Sequence, residues 1–267
     1  MTDDALSAAI NPDELREFEK RHPALREAMG HLQTTLGEAF LREMKPKLDK
    51  PAALQLVVFF LGHQAVDDFY DIVLLAVHGY GVGALKLLRP LYERVVTGVY
   101  LMKYPDEVKD FNDFADVHSW RVLQDAKTRG VDVTRWVSAD QLAEVEAAYE
   151  RVKKRFKKRG SWTTKHLKRL ADEAGLGDFY GGGWFWPTML LHTTRVALEE
   201  RLTVSIDGSL AFSHEPKRDQ ADRALAYAHI LIVQHLYACN QFFEWGIDMV
   251  RVLHDTETCW GHIGREA

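Results

Sequence analysis

The sequence predicts an all-α fold, a single multi-helix bundle carrying a charged helical hairpin insertion, and three observations lead to it. Apolar residues recur at helical spacing through several long stretches. Proline and glycine fall where such helices should start and stop. Strand signals are confined to Ile206–Leu210, where Asp207 and Gly208 read as a hairpin turn.

Taken in order, Asn11 before Pro12 reads as an N-cap with proline at the first helical position, and Glu14 is placed to complete a capping box. Pro23 to Lys45 gives a second helix, closed by Pro46. Pro51 opens a third, running to about Gly79, with Leu54, Val58, Leu61, Ala65, Phe69, Ile72 and Ala76 along one stripe. Gly79, Gly81 and Gly83 are read as a hinge before a fourth helix, which carries Arg89 and ends near Tyr104 and Pro105. Pro105 and Asp106 start a fifth, whose buried face is expected to hold Val108, Phe111, Phe114, Ala115, His118 and Val122 before Gly130 ends it. Ser138 and Gln141 spell a capping box, and the helix that follows is acidic early and basic late, as the macrodipole favours. A short basic helix from Thr164 to Ala174 stops at Gly175. Phe179 to Pro187, rich in glycine and aromatics, reads as a loop leading into a helix from Pro187 to about Leu202. One long packed helix is expected from Asp219 to about His254.

No repeat, low-complexity stretch or linker divides the chain. One structural domain is therefore expected: N-terminal helices over residues 1–50, then a bundle core over 51–267 with an insertion at about 130–177, where apolar content is weakest. With 267 residues, 46% of them hydrophobic, the chain has ample material for a core. Two cysteines, Cys239 and Cys259, are too few for a disulfide framework, and no signal-peptide pattern is read, so a cytoplasmic location is expected. The longest apolar runs, Leu56–Leu61 and Ile230–Val233, fall far short of the roughly 18 residues that cross a bilayer. A membrane-spanning role is excluded.

Net charge is −5, yet the segment from Arg151 to Arg169 holds ten basic residues and no acid. The rest of the chain is therefore strongly acidic, which argues against coating nucleic acid over a broad face and leaves room for one local contact. RNA or a nucleotide is expected at 151–169, with Lys154 and Lys158 on phosphate and Phe156 and Trp162 available for stacking. The competing reading is a solvated helix end, where cations belong in any case.

Arg89 and Glu93 stand one helical turn apart in a segment apolar enough that at least one of the charges should be buried. A buried ion needs a partner, so the pair marks either a structural clamp or a site. With a histidine from another helix it can hold an oxyanion or handle protons. Tyr92 lies between the two, and the glycine-aromatic segment supplies Trp184 and Trp186 as walls.

The run Gly83–Phe114, with Ala84, Leu88, Arg89, Leu91, Tyr92, Glu93, Tyr100, Leu101 and Pro105, resembles the first signature of a bacterial family, domain-of-unknown-function family 5677. Tyr180–Phe243 resembles its second half, with His192 where that family places a histidine; the serine that precedes the histidine there is absent here. The resemblance covers about residues 50–245 and implies an all-helical fold without an established activity. That fold is loosely similar to the higher-eukaryote-and-prokaryote nucleotide-binding (HEPN) bundles. Many of these are ribonucleases of toxin and phage-defence systems that use an arginine followed four to six residues later by a histidine. Three such spacings occur, Arg26/His31, Arg159/His166 and Arg223/His229, which is what chance alone supplies.

A polar stripe of His63, Gln64, Asp67, Asp68, Asp71 and His78 has the residue types of a metal site, but it lacks the Glu-x-x-His pairs from two helices that bundle sites use. His254, Cys259 and His262 offer three ligands without a fourth, and His235 with Cys239 reads as core. No metal or cofactor is expected. Three functions follow as expectations. The first is an RNA-cleaving or nucleotide-processing effector with Arg89, Glu93 and His192 as catalytic residues. The second is a small-molecule-binding module, and the third is an interaction subunit, including a homodimer.

Overall fold

The computed structural model describes residues 12–41, 52–192, 194–200, 202–204, 207–212 and 216–260. Its helices are α1 (Pro12–Arg21), α2 (Leu25–Leu41), α3 (Ala52–Val77), α4 (Gly81–Lys103), α5 (Val108–Thr128) and α6 (Ala139–Phe156), followed by α7 (Leu167–Ala174), α8 (Trp186–Leu191), α9 (Arg195–Glu199), α10 (Arg218–Phe243) and α11 (Met249–Trp260). Strands β1 (Leu202–Val204) and β2 (Leu210–Phe212) pair antiparallel, Val204 opposite Leu210, around the turn read at Asp207 and Gly208. Asn11, Lys45, Pro46, Pro51, Ile206 and His262, named above as caps, stops, a turn residue or a ligand, lie outside the described residues.

Helix α4 is the centre of the bundle. Ala84, Leu85, Leu88, Leu91, Tyr92, Val95, Val96 and Tyr100 are all buried, so α4 is covered on most sides, as a helix apolar nearly all round must be. α3 and α10 pack along it, and α7 and α8 cover part of what remains. Of the stripe read on α3, all but Leu61 are fully buried. α1 is fastened to α10 by charge. Arg218 forks onto Glu14 at 2.7 and 2.9 Å, and Asp222 accepts from Arg21 and pairs with His22 Nε2 at 3.0 Å.

α5 and α6 form a charged hairpin, of which only α6 falls within the insertion expected at about 130–177. Phe114, Val117, Val152 and Phe156 form a small core of their own, with Trp120 stacked on Tyr149, so the hairpin holds its shape through contacts between its two arms. The face expected on α5 is half right. Val108, Phe111 and Phe114 turn inward, whereas Ala115, His118 and Val122 are exposed and Val117 takes their place, because α6 approaches from the side of Phe114 and Val117. The Ser138 box is formed: Ser138 Oγ accepts from Gln141 N at 3.2 Å and Gln141 Oε1 from Ser138 N at 2.9 Å. Ser138→Ala should cost about 1 kcal/mol. Because α6 has its own core, the loss should appear as roughly fivefold faster amide exchange in the first turn of α6, with the α4 amides unchanged.

Four boundaries differ from the sequence reading, the first being the short basic helix, which begins at Leu167 and not Thr164 because His166 is extended. Gly81 and Gly83 belong to α4, and only Gly79, at φ 82°, forms the turn before it. The segment Gly181–Phe185 is a π-helical turn continuous with α8 and not a loop, and the expected helix to Leu202 breaks at His192. The last helix is two. Glu244 at φ 54° and Gly246 at φ 72° reverse the chain, and the Asn240 amide holds the turn by donating to Ile247 O and accepting from Ile247 N.

Candidate functional site

α4 presents Arg89 and Glu93 on one face, a turn apart, and the π-helical turn lays Trp184 over them. Arg89 Nε donates to Glu93 Oε1 at 3.0 Å, and Trp184 Nε1 donates to the same oxygen at 2.7 Å. The guanidinium lies over the Trp184 ring, 5.3 Å from its centroid. Just past the end of α8, His192 turns Nε2 toward Arg89 Nη1 at 3.3 Å. Arginine can only donate, so Nε2 is the accepting nitrogen and its lone pair faces the cation.

The burial expected of this pair is not found. The side chains of Arg89 and Glu93 are 27% and 42% exposed, because the apolar character of α4 belongs to its other faces. A pair that wet contributes at most about 1 kcal/mol, so a buried structural clamp is not what these residues form. The buried member is Tyr92. Its hydroxyl donates to Leu176 O at 3.0 Å, and burial holds its phenol well above the usual range, so it stays protonated and structural. Tyr92 meets Tyr180 edge-on, and Tyr180 stacks on Trp184. Glycine permits this closeness: a Cβ on Gly183 would stand 2.8 Å from the Tyr92 ring, and one on Gly182 would run into Tyr227.

Trp186 opens α8, partly buried against the main core. Lys154 and Lys158 are exposed on the α5/α6 hairpin and make no described contact with the Arg89 cluster. Part of the basic segment around them is paired within the protein, while Arg151 and Lys157 are exposed like Lys154 and Lys158. Arg155 and Arg159 pair with Asp110 at 3.2 and 3.0 Å, Lys165 with Glu107 and Glu173, Lys168 with Asp172, and Arg169 with Glu173. Phe156 is buried and Trp162 packs on Phe111 and Tyr100, so neither offers a free face for a base. Lys165 lies over the Tyr100 and Tyr104 rings and donates to the Tyr100 hydroxyl, whose pKa burial pushes up to about 12.

Among the described residues no three His, Cys, Asp or Glu side chains gather as a metal site requires. In the polar stripe of α3, Asp68 pairs with Arg94 and His63 packs edge-on against Phe59. Burial nevertheless raises the Asp68 carboxyl. His235 and Cys239 are fully buried and face each other at 3.5 Å. None of the three Arg/His spacings brings its members together. Arg26 pairs with Glu19 and His31 with Asp255; Arg159 pairs with Asp110 while exposed His166 precedes α7; Arg223 is exposed and His229 buried. Sequence reasoning missed Tyr180, Tyr227 and the Leu176 carbonyl, for which the adjacent glycines Gly182 and Gly183 were the available signal.

No helix among the described residues is long and apolar enough to cross a membrane. No curated protein and no solved structure matches the chain at a significant level. A family model matches residues 55–209, a stretch that contains Arg89, Tyr92, Glu93, Trp184 and His192 and spans more than half of the chain. That model describes a family of unknown function (DUF5677), and the chain belongs to that family.

Proposed function

We propose that the Arg89–Glu93–His192 cluster binds a phosphate of a nucleotide or an RNA end and catalyses cleavage of its ester bond. The observation that carries this reading is the open contact between Arg89 Nη1 and His192 Nε2, a cation and a base separated by 3.3 Å at the surface. A guanidinium has five N–H groups, and Arg89 commits two of them to Glu93 and His192, which leaves its remaining donors for an anionic oxygen. On binding, the phosphate draws the Arg89 Nη1 donor away from Nε2, and the freed Nε2 lone pair takes a proton from an attacking water as the water oxygen bonds to phosphorus. The bond from phosphorus to the leaving oxygen breaks, and the same imidazole returns the proton to that oxygen. Glu93 fixes the guanidinium, and the Trp184 ring supports it from beneath. Since Arg155, Arg159 and Lys165 are taken up by internal pairs and Lys154 and Lys158 make no described contact with the cluster, the proposed substrate is a mononucleotide or a short RNA end and not a long strand.

The test is turnover of a nucleotide panel and of end-labelled short RNA by the wild type, Arg89→Ala, Glu93→Gln and His192→Ala. His192→Ala should lower the rate about 100- to 10,000-fold. All three variants should melt within a few degrees of the wild type, because the cluster is half exposed. Equal turnover by all four proteins ends the proposal. Thermal stabilisation by nucleotides without any turnover would favour the alternative, a non-catalytic binding module.

A further inference from the structure

A cleft of about 400 Å³ opens between the C-terminal end of α4, the end of α7 and the outer side of α10. It lies roughly 15 Å along α4 from Arg89, at 1.5 Å per residue, and meets the surroundings of the Arg89 cluster only at Leu176, whose carbonyl accepts from Tyr92. Val99, Met102, Leu176, Ala238 and Phe242 make its walls apolar, and Gln234, Tyr237 and Gln241 border one side. The only charge in its lining is Lys103. The Lys103 ammonium donates to the carbonyl oxygens of Glu173 and Ala174 at 3.1 and 3.2 Å, which uses two of its three donors. It forms no ion pair among the described residues, and the nearby Glu173 carboxylate is engaged by Lys165 and Arg169.

We infer that this cleft binds an amphipathic carboxylate, its apolar tail against Met102, Leu176 and Phe242 and its anionic head on Lys103. The volume falls in the range of small-molecule sites, and an apolar lining with one placed cation is the arrangement that recognises a monoanion bearing a hydrocarbon tail. A single ammonium balances a carboxylate and leaves a dianionic phosphate half unpaired. The walls are held before any ligand arrives. Tyr92 fixes Leu176 O, Lys103 fixes the end of α7, and Gln241 donates to the Tyr237 hydroxyl at 2.7 Å. A ligand entering a preformed site loses less affinity to ordering.

The probes are octanoate and its uncharged counterpart 1-octanol, titrated calorimetrically against the full chain and against two variants, Lys103→Met and Ala238→Phe. Octanoate should bind the wild type saturably at one site. Lys103→Met should weaken octanoate about tenfold, the worth of one charge-assisted hydrogen bond, and leave octanol nearly unchanged. Ala238→Phe fills the cleft and should abolish binding of both. The inference is overturned if octanoate shows no saturable binding, or if a folded Ala238→Phe protein binds it as well as the wild type. It is equally overturned if Lys103→Met weakens octanol as much as octanoate, since Lys103 would then act only through the fold. Binding is read directly, so these outcomes are independent of whether the Arg89 cluster turns over a nucleotide.

Discussion

Gly81→Ala is expected to destabilise the protein by about 3 kcal/mol, although alanine is the better helix former by roughly 1 kcal/mol. Gly81 is the first residue of α4 and is buried against the start of α10. A Cβ there would stand 2.5 Å from Ala221 N and 2.9 Å from Gln220 C, and closer still to the Lys217 carbonyl oxygen. All three are backbone atoms, so no rotamer change relieves the overlap. Nor can α10 simply retreat: Lys217 N donates to Gly79 O at 3.2 Å, and the Arg218–Glu14 fork and the His22–Asp222 contact fasten the same turn. Gly83→Ala is the internal control. Its Cβ would meet only Leu75 Cδ1 at 3.5 Å and Tyr80 Cβ at 3.9 Å, ordinary contact distances, so propensity should prevail and the variant should gain about 0.5–1 kcal/mol. Urea midpoints of the two variants should therefore move in opposite directions. If Gly81→Ala proves as stable as Gly83→Ala, α10 does not lie where the structure puts it. The result also bears on the family match, which ends at residue 209 while α10 buries one side of α4. The matched segment lacks a helix that the core needs.

Periodicity made the helices legible, and what it could not give was their ends. The stripe on α3 needs only 3.6-residue spacing to be read, and its members are buried, with Leu61 half-buried. The break after Phe243 is invisible to the same rule, since Val252, Thr256 and Trp260 continue a buried face on the far side of it. Gly246 and Asn240 carried the signal, one as a residue able to adopt φ 72° and the other as a side chain able to bridge the turn. The face of α5 was misread at Ala115, His118 and Val122 for a different reason. The side from which α6 approaches is a tertiary fact, and no spacing within α5 contains it.

The site was legible in its residue types and illegible in its exposure. Arg89 and Glu93 at i, i+4 must share a face, and the structure adds Trp184 and His192 to it. That the shared face is half open depends on which sides of α4 are covered by α3, α10, α7 and α8, and an apolar segment does not declare its one uncovered side. The basic segment misled in the opposite sense. Ten cations without an acid in sequence look like a free field, but Asp110, Asp113, Glu107 and Glu173 reach them from α5, from the turn before it and from α7. Arg155, Arg159 and Lys165 are thus paired across the chain, while Arg151, Lys154, Lys157 and Lys158 stay exposed.

Stability should fall as pH drops from about 6.5 to about 4, and two histidines set that window. His229 is buried on α10, where Trp260 Nε1 donates to its Nδ1 at 2.6 Å. An indole only donates, so Nδ1 carries no proton, and Nε2–H faces Thr256 Oγ1 at 3.2 Å, whose own hydroxyl goes to Val252 O. Adding a proton would set N–H against N–H in a site closed to water. Burial accordingly pushes His229 down to about 4, and it does the same to His235, which is fully enclosed beside Cys239 and Gly98. In the unfolded chain both return to about 6.5. With the folded pKa below the unfolded one, the unfolded state takes up more protons between those values, so the stability held above pH 6.5 is lost on acidification and levels off below pH 4. The full loss is on the order of 3 kcal/mol per histidine, and about 1 kcal/mol each by pH 5.5. The carboxylates held low by partners, Glu14 by Arg218 and Asp113 by Lys109 and Arg155, begin to act only near about pH 5, so the decline above that pH belongs to the histidines. Urea midpoints at pH 7.5, 6.0 and 5.0 should show the decline. His229→Gln keeps an acceptor for Trp260 and a donor for Thr256 but cannot titrate, and it should remove about half of the slope, with His235→Gln removing the rest. An unchanged slope in the double variant would assign the acid sensitivity elsewhere. Because His229 holds Trp260 and Thr256, the first structural event on acidification should be release of α11 from α10, seen as a change in tryptophan fluorescence ahead of the loss of helix signal.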